Sequence, residues 1–339
     1  MAGIFLTIKN IFHGVVAAFM LIPIMLTMGN SGDPNTPVET FPDSANPYIT
    51  EYLSPDIAAH RSGAGVAPQN TMMAFENIVE NAHGNGVTTL EFDVQITADG
   101  ELILHHDLTY DSTSNAVEEF GKENVYVSSL TYEEARVLNM GENFKVDGEY
   151  PYRGLRGDEI PDNLRVVRCD DVIDYVEANA AGEYNYVIEI KSMGANGRKA
   201  ADKLYEIIVS RGMQDKVIWS TFDPTLSAYM KSNYSEIART ADAIEAIQFY
   251  FYFRMGWDLS DVSPSYVALQ IPYGSSAFDN IINLGTREMI NYAHSYDIAL
   301  QYWTINDEDE ARTLVENGAD CIMTDYPQTV YEVVQSVKQ

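Results

Sequence analysis

At 339 residues, 46% of them hydrophobic, the chain carries enough apolar material to bury a large core and is not a disordered polymer. Its 21 Lys and Arg stand against 50 Asp and Glu, a formal net charge of -29, which excludes the clustered basic surface that nucleic acids and anionic bilayers demand. An anionic substrate must then meet a local positive centre, either a bound metal or a few placed basic groups.

In chain order, an apolar run from Ile11 to Met28 follows a single Lys, the pattern of a secretory signal or a membrane anchor within residues 1–30. Export, membrane association through that segment and an extracytoplasmic location follow as expectations. A polar, Pro-containing stretch from Gly29 to Asn46 reads as an exposed tether, and residues 31–54 as a linker to a single domain over 55–335.

From about residue 55 short apolar strands alternate with helical segments. "IAAHR" (57–61), "TLEFDV" (89–94), "YVIEIK" (186–191), "VIWSTF" (217–222), "IARTAD" (237–242), "YVALQI" (266–271), "ALQYWTI" (299–305) and "CIMTD" (321–325) are the candidate strands. Alternating β and α over that many short buried strands points to a closed parallel (β/α)8 barrel of the TIM type. "ELILHHD" follows "TLEFDV" too closely for a crossover helix, so it pairs as a hairpin through Asp99-Gly100. Residues 108–165 fit no βα unit and form a loop-rich insertion near the catalytic mouth, with one short helix capped by Thr131 and Glu134. Cys169 and Cys321 lie far apart in apolar or helical settings and are expected as buried free thiols.

In a barrel the carboxyl ends of the strands converge on one mouth. His60 and Arg61 close the first strand, Glu91 and Asp93 share a face of the second, Glu189 and Lys191 share one in "YVIEIK", and His105 and His106 end the hairpin. Two acids on one inward face repel unless one is protonated or a cation lies between them, and Glu91, Asp93 and Glu189 together suit a hard divalent metal. The histidines read either as hydrogen-bonded core residues or as proton carriers, with His105 and His106 equally eligible. Arg61 and Lys191 read as phosphate contacts or as ion-pair partners of the acids. His13, His83 and His294 read as structural or surface residues.

"HRSGAGVAPQNT", "LEFDV", "ADGELILHHD", "YVIEIKS", "VIWSTFDPTLSAY" and "ALQYWTINDEDEARTLVENGADCIMTDYP" together, in this order over about residues 56–330, resemble the glycerophosphodiester phosphodiesterases. The resemblance implies a TIM-type barrel and metal-dependent hydrolysis of glycerophosphodiesters, such as glycerophosphocholine, to sn-glycerol 3-phosphate and an alcohol. It places Glu91, Asp93 and Glu189 as ligands of Ca2+ or Mg2+, His60 and His106 as acid and base, and Arg61 as a phosphate contact. It selects His106 because the family histidine directly precedes the Asp. Lys191, Phe222 and Trp303 are expected at the substrate, with the loop of the 140s and 150s as a further wall.

The chain departs from the family pattern in its longer His-Arg-Ser-Gly-Ala-Gly loop, in Gln69 for a Glu, and in Ser112-Thr113-Ser114 for Arg-Thr-Thr. Two other readings stand beside the phosphodiesterase. One is a phospholipase D-like barrel acting on lysophospholipid or sphingomyelin, suggested by the N-terminal segment and by Tyr150 and Tyr152. The other is a non-catalytic barrel that binds a polyol phosphate.

Overall fold

The structure is a computed structural model that describes residues 32–33, 35–81, 86–273 and 283–339. The expected export segment at 1–30, with His13, and also His83 lie outside the described residues. Nine strands run β1 (Asp56–Ala59), β2 (Thr89–Ile96), β3 (Leu102–Leu104), β4 (Asn185–Ile190), β5 (Val217–Ser220), β6 (Ala238–Arg239), β7 (Ala268–Pro272), β8 (Ala299–Trp303) and β9 (Cys321–Thr324) among the described residues. Eight are parallel, in the order β6-β5-β4-β2-β1-β9-β8-β7. The ring closes between β6 and β7 through a parallel bridge of Thr240 with Ala268 and backbone bonds Ala241 N to Ala268 O (2.9 Å) and Val267 N to Arg239 O (3.0 Å). The result is the expected TIM barrel.

Helices follow the strands: α1 (Met72–Glu80), α2 (Ala116–Phe120), α3 (Tyr132–Ala135), α4 (Cys169–Asn179), α5 (Gly194–Ser210), α6 (Pro224–Asn233), α7 (Ala243–Met255), α8 (Arg287–His294), α9 (Glu308–Asn317) and α10 (Pro327–Val337). Their starts are set by short polar caps. Thr71, Asp223, Asp242, Thr286 and Asp307 accept from the first-turn amides of α1, α6, α7, α8 and α9. Asp223, Asp242 and Asp307 stand just past the ends of β5, β6 and β8, so there the local sequence sets where the chain leaves the barrel wall.

The period of two in β2 decides which side chains enter the barrel. Leu90, Phe92 and Val94 join the apolar layer between sheet and helices, whereas Glu91, Asp93 and Gln95 face inward and are buried. Below the acids the interior is plugged by Ala58, Val187, Ile218, Cys321 and Met323. Both cysteines are buried free thiols, as expected.

β2 outruns its barrel neighbours, and its last residues pair antiparallel with β3, Val94 opposite Leu104 and Ile96 opposite Leu102. The turn between them needs Gly100, whose φ of 87° is ordinary only for glycine. The insertion that follows encloses an apolar cluster of its own, including Tyr110, Val127, Leu138 and Val166, and Thr131 and Glu134 form the expected capping box on α3.

The stretch read as a free tether proves otherwise over residues 35–54, which lie along the barrel. Asn46 donates to the carbonyls of Val267 (2.7 Å) and Asp297 (2.8 Å), and Asp320 accepts from Thr50 N (2.9 Å) and from His294 Nε2 (2.8 Å). The loose composition of this strap hid its partners because they are carbonyls and side chains, Asp320 among them, more than 200 residues away. No helix among the described residues is long and apolar enough to cross a membrane.

Candidate active site

The register of the barrel sets the site. Parallel pairing of β2 with β4 puts Asp93 beside Glu189 and leaves Glu91 one inward step below. One carboxylate oxygen from each of Glu91, Asp93 and Glu189 lies within 4.8 Å of the other two. Above this floor opens a cavity of about 130 Å3 whose wall includes His60, Arg61, His106, Lys191, Phe222 and Trp303. Glu91, Asp93, Glu189, His60, His106, Arg61, Lys191, Phe222 and Trp303 therefore meet at one point.

His60 and Arg61 occupy a tight turn at the end of β1, with Arg61 (φ 49°), Ser62 (φ 62°) and Gly63 (φ 86°) all left-handed. That turn aims the Arg61 amide at Glu91 Oε2 (2.7 Å). It also leaves His60 Nδ1 at 2.7 Å from Asp325 Oδ1, at the end of β9, while Asn306 Nδ2 donates to Asp325 Oδ2 (2.7 Å). Burial pulls His60 down, but the Asp325 bond and the charge of Glu91 outweigh it, so His60 stands above its ordinary value.

On the opposite side His106 Nδ1 lies 2.6 Å from Asp107 Oδ1, and Ser112 Oγ donates to Asp107 Oδ2. The Gln95 amide gathers the carbonyls of residues 105 to 107, which fixes the end of the hairpin over the acids. His105 turns away and is buried beside the Tyr110 ring with Nε2 at 3.0 Å from the Thr109 carbonyl. Burial holds His106 below its ordinary value, Lys191 reinforces this, and the nearby Asp93 opposes it. In both site histidines the inner nitrogen is held by an acid, leaving Nε2 for a reacting group.

Burial pushes the Glu91 carboxyl up to about 7, with repulsion from Asp93 adding to it. Burial acts the same way on Glu189, which is raised in spite of Lys191. Asp93 stays below the usual carboxylate range because Lys191, His106 and Arg61 outweigh its burial. Lys191 Nζ bonds Glu189 Oε1 (2.6 Å) and lies 3.3 Å from Asp93 Oδ1. Both sequence readings of Lys191 therefore meet, since it pairs with the acids and still faces the cavity.

An all-oxygen, anionic donor set with two members pushed toward protonation matches a hard divalent cation: such an ion removes the repulsion that burial leaves. Arg61 Nη1 donates to Gln69 Oε1 (2.6 Å), so the neutral amide carries the hydrogen bond at this position. Arg61 Nε is buried without a hydrogen bond among the described residues and stands 3.6 Å from Asp93, while the Arg61 side chain as a whole lines the cavity. Phe222 and Trp303 meet edge to face at 5.9 Å, and Lys191 Nζ is 5.6 Å from the Phe222 ring.

The insertion residues Tyr150 and Tyr152 do not line this cavity. The Arg153 guanidinium stacks on Tyr150 at 3.4 Å, and Asn139 Nδ2 donates to the Tyr152 carbonyl (2.7 Å), so both belong to the insertion's own packing. Sequence reasoning on individual residues passed over Asn70, Gln95, Asp107, Asn306 and Asp325. Asn70, whose amide donates to Asp93 Oδ2 (2.9 Å), Asn306 and Asp325 stood in the quoted motifs, but a side chain that holds another has no periodicity to mark it.

Buried acids, two acid-backed imidazoles and two cations at a barrel mouth define a centre for proton transfer on an anionic ester. The chain matches the profile of the Glycerophosphoryl diester phosphodiesterase family over residues 60–329. It is 26% identical over 281 residues to a glycerophosphodiester phosphodiesterase of Caldanaerobacter subterraneus, covering 82% of this chain and 97% of the relative. To one of Bacillus altitudinis it is 24% identical over 283 residues, 83% and 99% of the two chains. Among solved structures it superposes with TM-score 0.62 on an Oleispira antarctica phosphodiesterase in complex with the product sn-glycerol-3-phosphate, at 19% identity and covering 83% and 97% of the chains. A Silicibacter pomeroyi putative glycerophosphoryl diester phosphodiesterase gives the same TM-score of 0.62 at 20% identity, covering 86% and 96%. The chain belongs to the glycerophosphoryl diester phosphodiesterase family and is a phosphoric diester hydrolase.

Proposed function

We propose that this protein hydrolyses glycerophosphodiesters, glycerophosphocholine among them, to sn-glycerol 3-phosphate and an alcohol by metal-assisted acid–base catalysis. The observation that carries the reading is the gathering of Glu91, Asp93 and Glu189 oxygens within 4.8 Å at the floor of a cavity walled by His60, His106, Arg61 and Lys191.

Glu91, Asp93 and Glu189 would hold Ca2+ or Mg2+, which when bound supplies charge neutralisation at a phosphate oxygen. The Arg61 guanidinium and Lys191 Nζ orient the phosphate, the first by directed donors and the second as a point charge. Asp325 and Asp107 fix the two imidazoles with Nε2 toward the cavity. One Nε2 takes a proton from the attacking oxygen and the other returns one to the leaving alcohol. Phe222 and Trp303 shield one wall from water and so strengthen these interactions.

The apolar run at 11–28 supports action outside the cytoplasm, and cell fractionation checks it. The test of the chemistry is release of glycerol 3-phosphate from a panel of glycerophosphodiesters. Turnover is expected to vanish on chelation and in Glu91→Gln, and to return to the wild type with Ca2+ or Mg2+. Undiminished turnover in chelator would overturn the metal, and no turnover of any diester would overturn the activity.

A further inference from the structure

Beside the catalytic cavity lies a trough of about 640 Å3. The two share His106, Glu189, Lys191, Thr221 and Phe222, so the trough begins at the reacting centre. Away from that end its wall is apolar: Leu108, Met193, Phe222 and Pro224, of which Leu108 is 51%, Met193 62% and Phe222 49% exposed. These side chains come from separate connections after β3, β4 and β5, each reaching the same trough. The acids there are already engaged. Asp107 holds His106 and accepts from Ser112, and Asp223 caps α6 through Thr225 N (2.8 Å).

We propose that this trough is a subsite for an apolar substituent on the leaving alcohol, so that the enzyme favours glycerophosphodiesters whose alcohol carries an alkyl portion. The inference rests on the hydrolase reading above. Polarity decides which half of the substrate enters. Glycerol hydroxyls lose free energy wherever they are buried without partners, and the outer trough offers apolar side chains and acids already in use. The central cavity instead offers the acids, Ser220 and Gln270. With glycerol there and phosphate between Arg61 and Lys191, the trough takes the group beyond the phosphate. A chain with a net charge of -29 that nonetheless exposes Leu108, Met193 and Phe222 beside its reacting centre has there a surface suited to an alkyl group.

Diesters of glycerol phosphate with ethanol, butanol and hexanol test this, because the acidity of the leaving alcohol is nearly constant along the series. A fully buried methylene is worth about fourfold in affinity and an open trough returns part of that, so kcat/KM is expected to rise about twofold per methylene, about 16-fold from ethyl to hexyl. The double variant Leu108→Ser with Met193→Ser should flatten that slope and leave the ethyl diester unchanged. A flat slope in the wild type, or an unaltered one in the variant, overturns the subsite. Calorimetric binding of ethyl and hexyl phosphate separates the two levels of the argument. Tighter hexyl phosphate binding that depends on Leu108 and Met193, without turnover of any diester, would keep the subsite and refute the hydrolase. Turnover with no chain-length preference in rate or binding would do the reverse.

Discussion

Glu91 offers a sharp test because removing this acid should make the metal-free protein more stable. Its carboxyl is buried, sits beside Asp93, and is pushed from an ordinary 4.5 up to about 7. A proton is therefore bound more tightly in the native than in the unfolded chain. The stability that goes with the neutral acid is fully present below pH 4.5 and is lost as pH rises through about 7. At 1.36 kcal/mol per pH unit this loss approaches about 3 kcal/mol by pH 8. Glu91→Gln keeps an oxygen to accept from the Arg61 amide and never ionises, so it escapes the loss.

Urea unfolding followed by circular dichroism in chelator, at pH 5 and pH 8, measures the effect. The variant should be more stable than the wild type at pH 8 by up to about 3 kcal/mol, with the gap narrowing at pH 5. Ca2+ or Mg2+ should then stabilise the wild type and not the variant, by preferential binding to the folded state. A variant no more stable than wild type at pH 8 would refute the view that uncompensated repulsion at this floor is what a cation relieves.

Three further outcomes follow from contacts around the site and the strap. Asp325→Asn removes the acid that lifts His60, so the His60 titration followed by NMR should move to lower pH, and kcat should fall about 100-fold; an unmoved midpoint would remove Asp325 from the proton-handling machinery. Gln69→Leu strips the acceptor from Arg61 Nη1 and should raise KM about tenfold while leaving kcat nearly intact, as steady-state kinetics would show. Asn46→Ala leaves the Val267 and Asp297 carbonyls without their side-chain donor and should cost about 1–3 kcal/mol in chemical denaturation; an unchanged midpoint would mean that the strap does not hold the barrel.

Much of this architecture was legible because it rests on local rules. Alternation in "TLEFDV" sent Glu91 and Asp93 inward and Phe92 outward, Thr131 with Glu134 marked a helix start, and Asp99-Gly100 announced the hairpin. The motif order supplied the three inward acids and both cavity histidines. Less was legible where one side chain acts through another. Asp325 reaches His60 across 265 residues of sequence, and Gln95 secures the backbone around His106 from the neighbouring strand. Residues 35–54 gave no signal of packing, because a polar strap held by distant carbonyls and polar side chains has the composition of a free linker.

By itself, then, the sequence determined the barrel, the inward acids and the family, since strand period, capping and ordered motifs are properties of neighbours along the chain. Tertiary structure alone decided that Asp93 stands beside Glu189, that His105 packs on the Tyr110 ring, that Gln69 serves Arg61 without a charge, and that Leu108, Met193 and Phe222 open one trough beside the site. Those facts depend on the register and closure of the barrel, which bring together residues whose separation along the chain carries no trace of their contact.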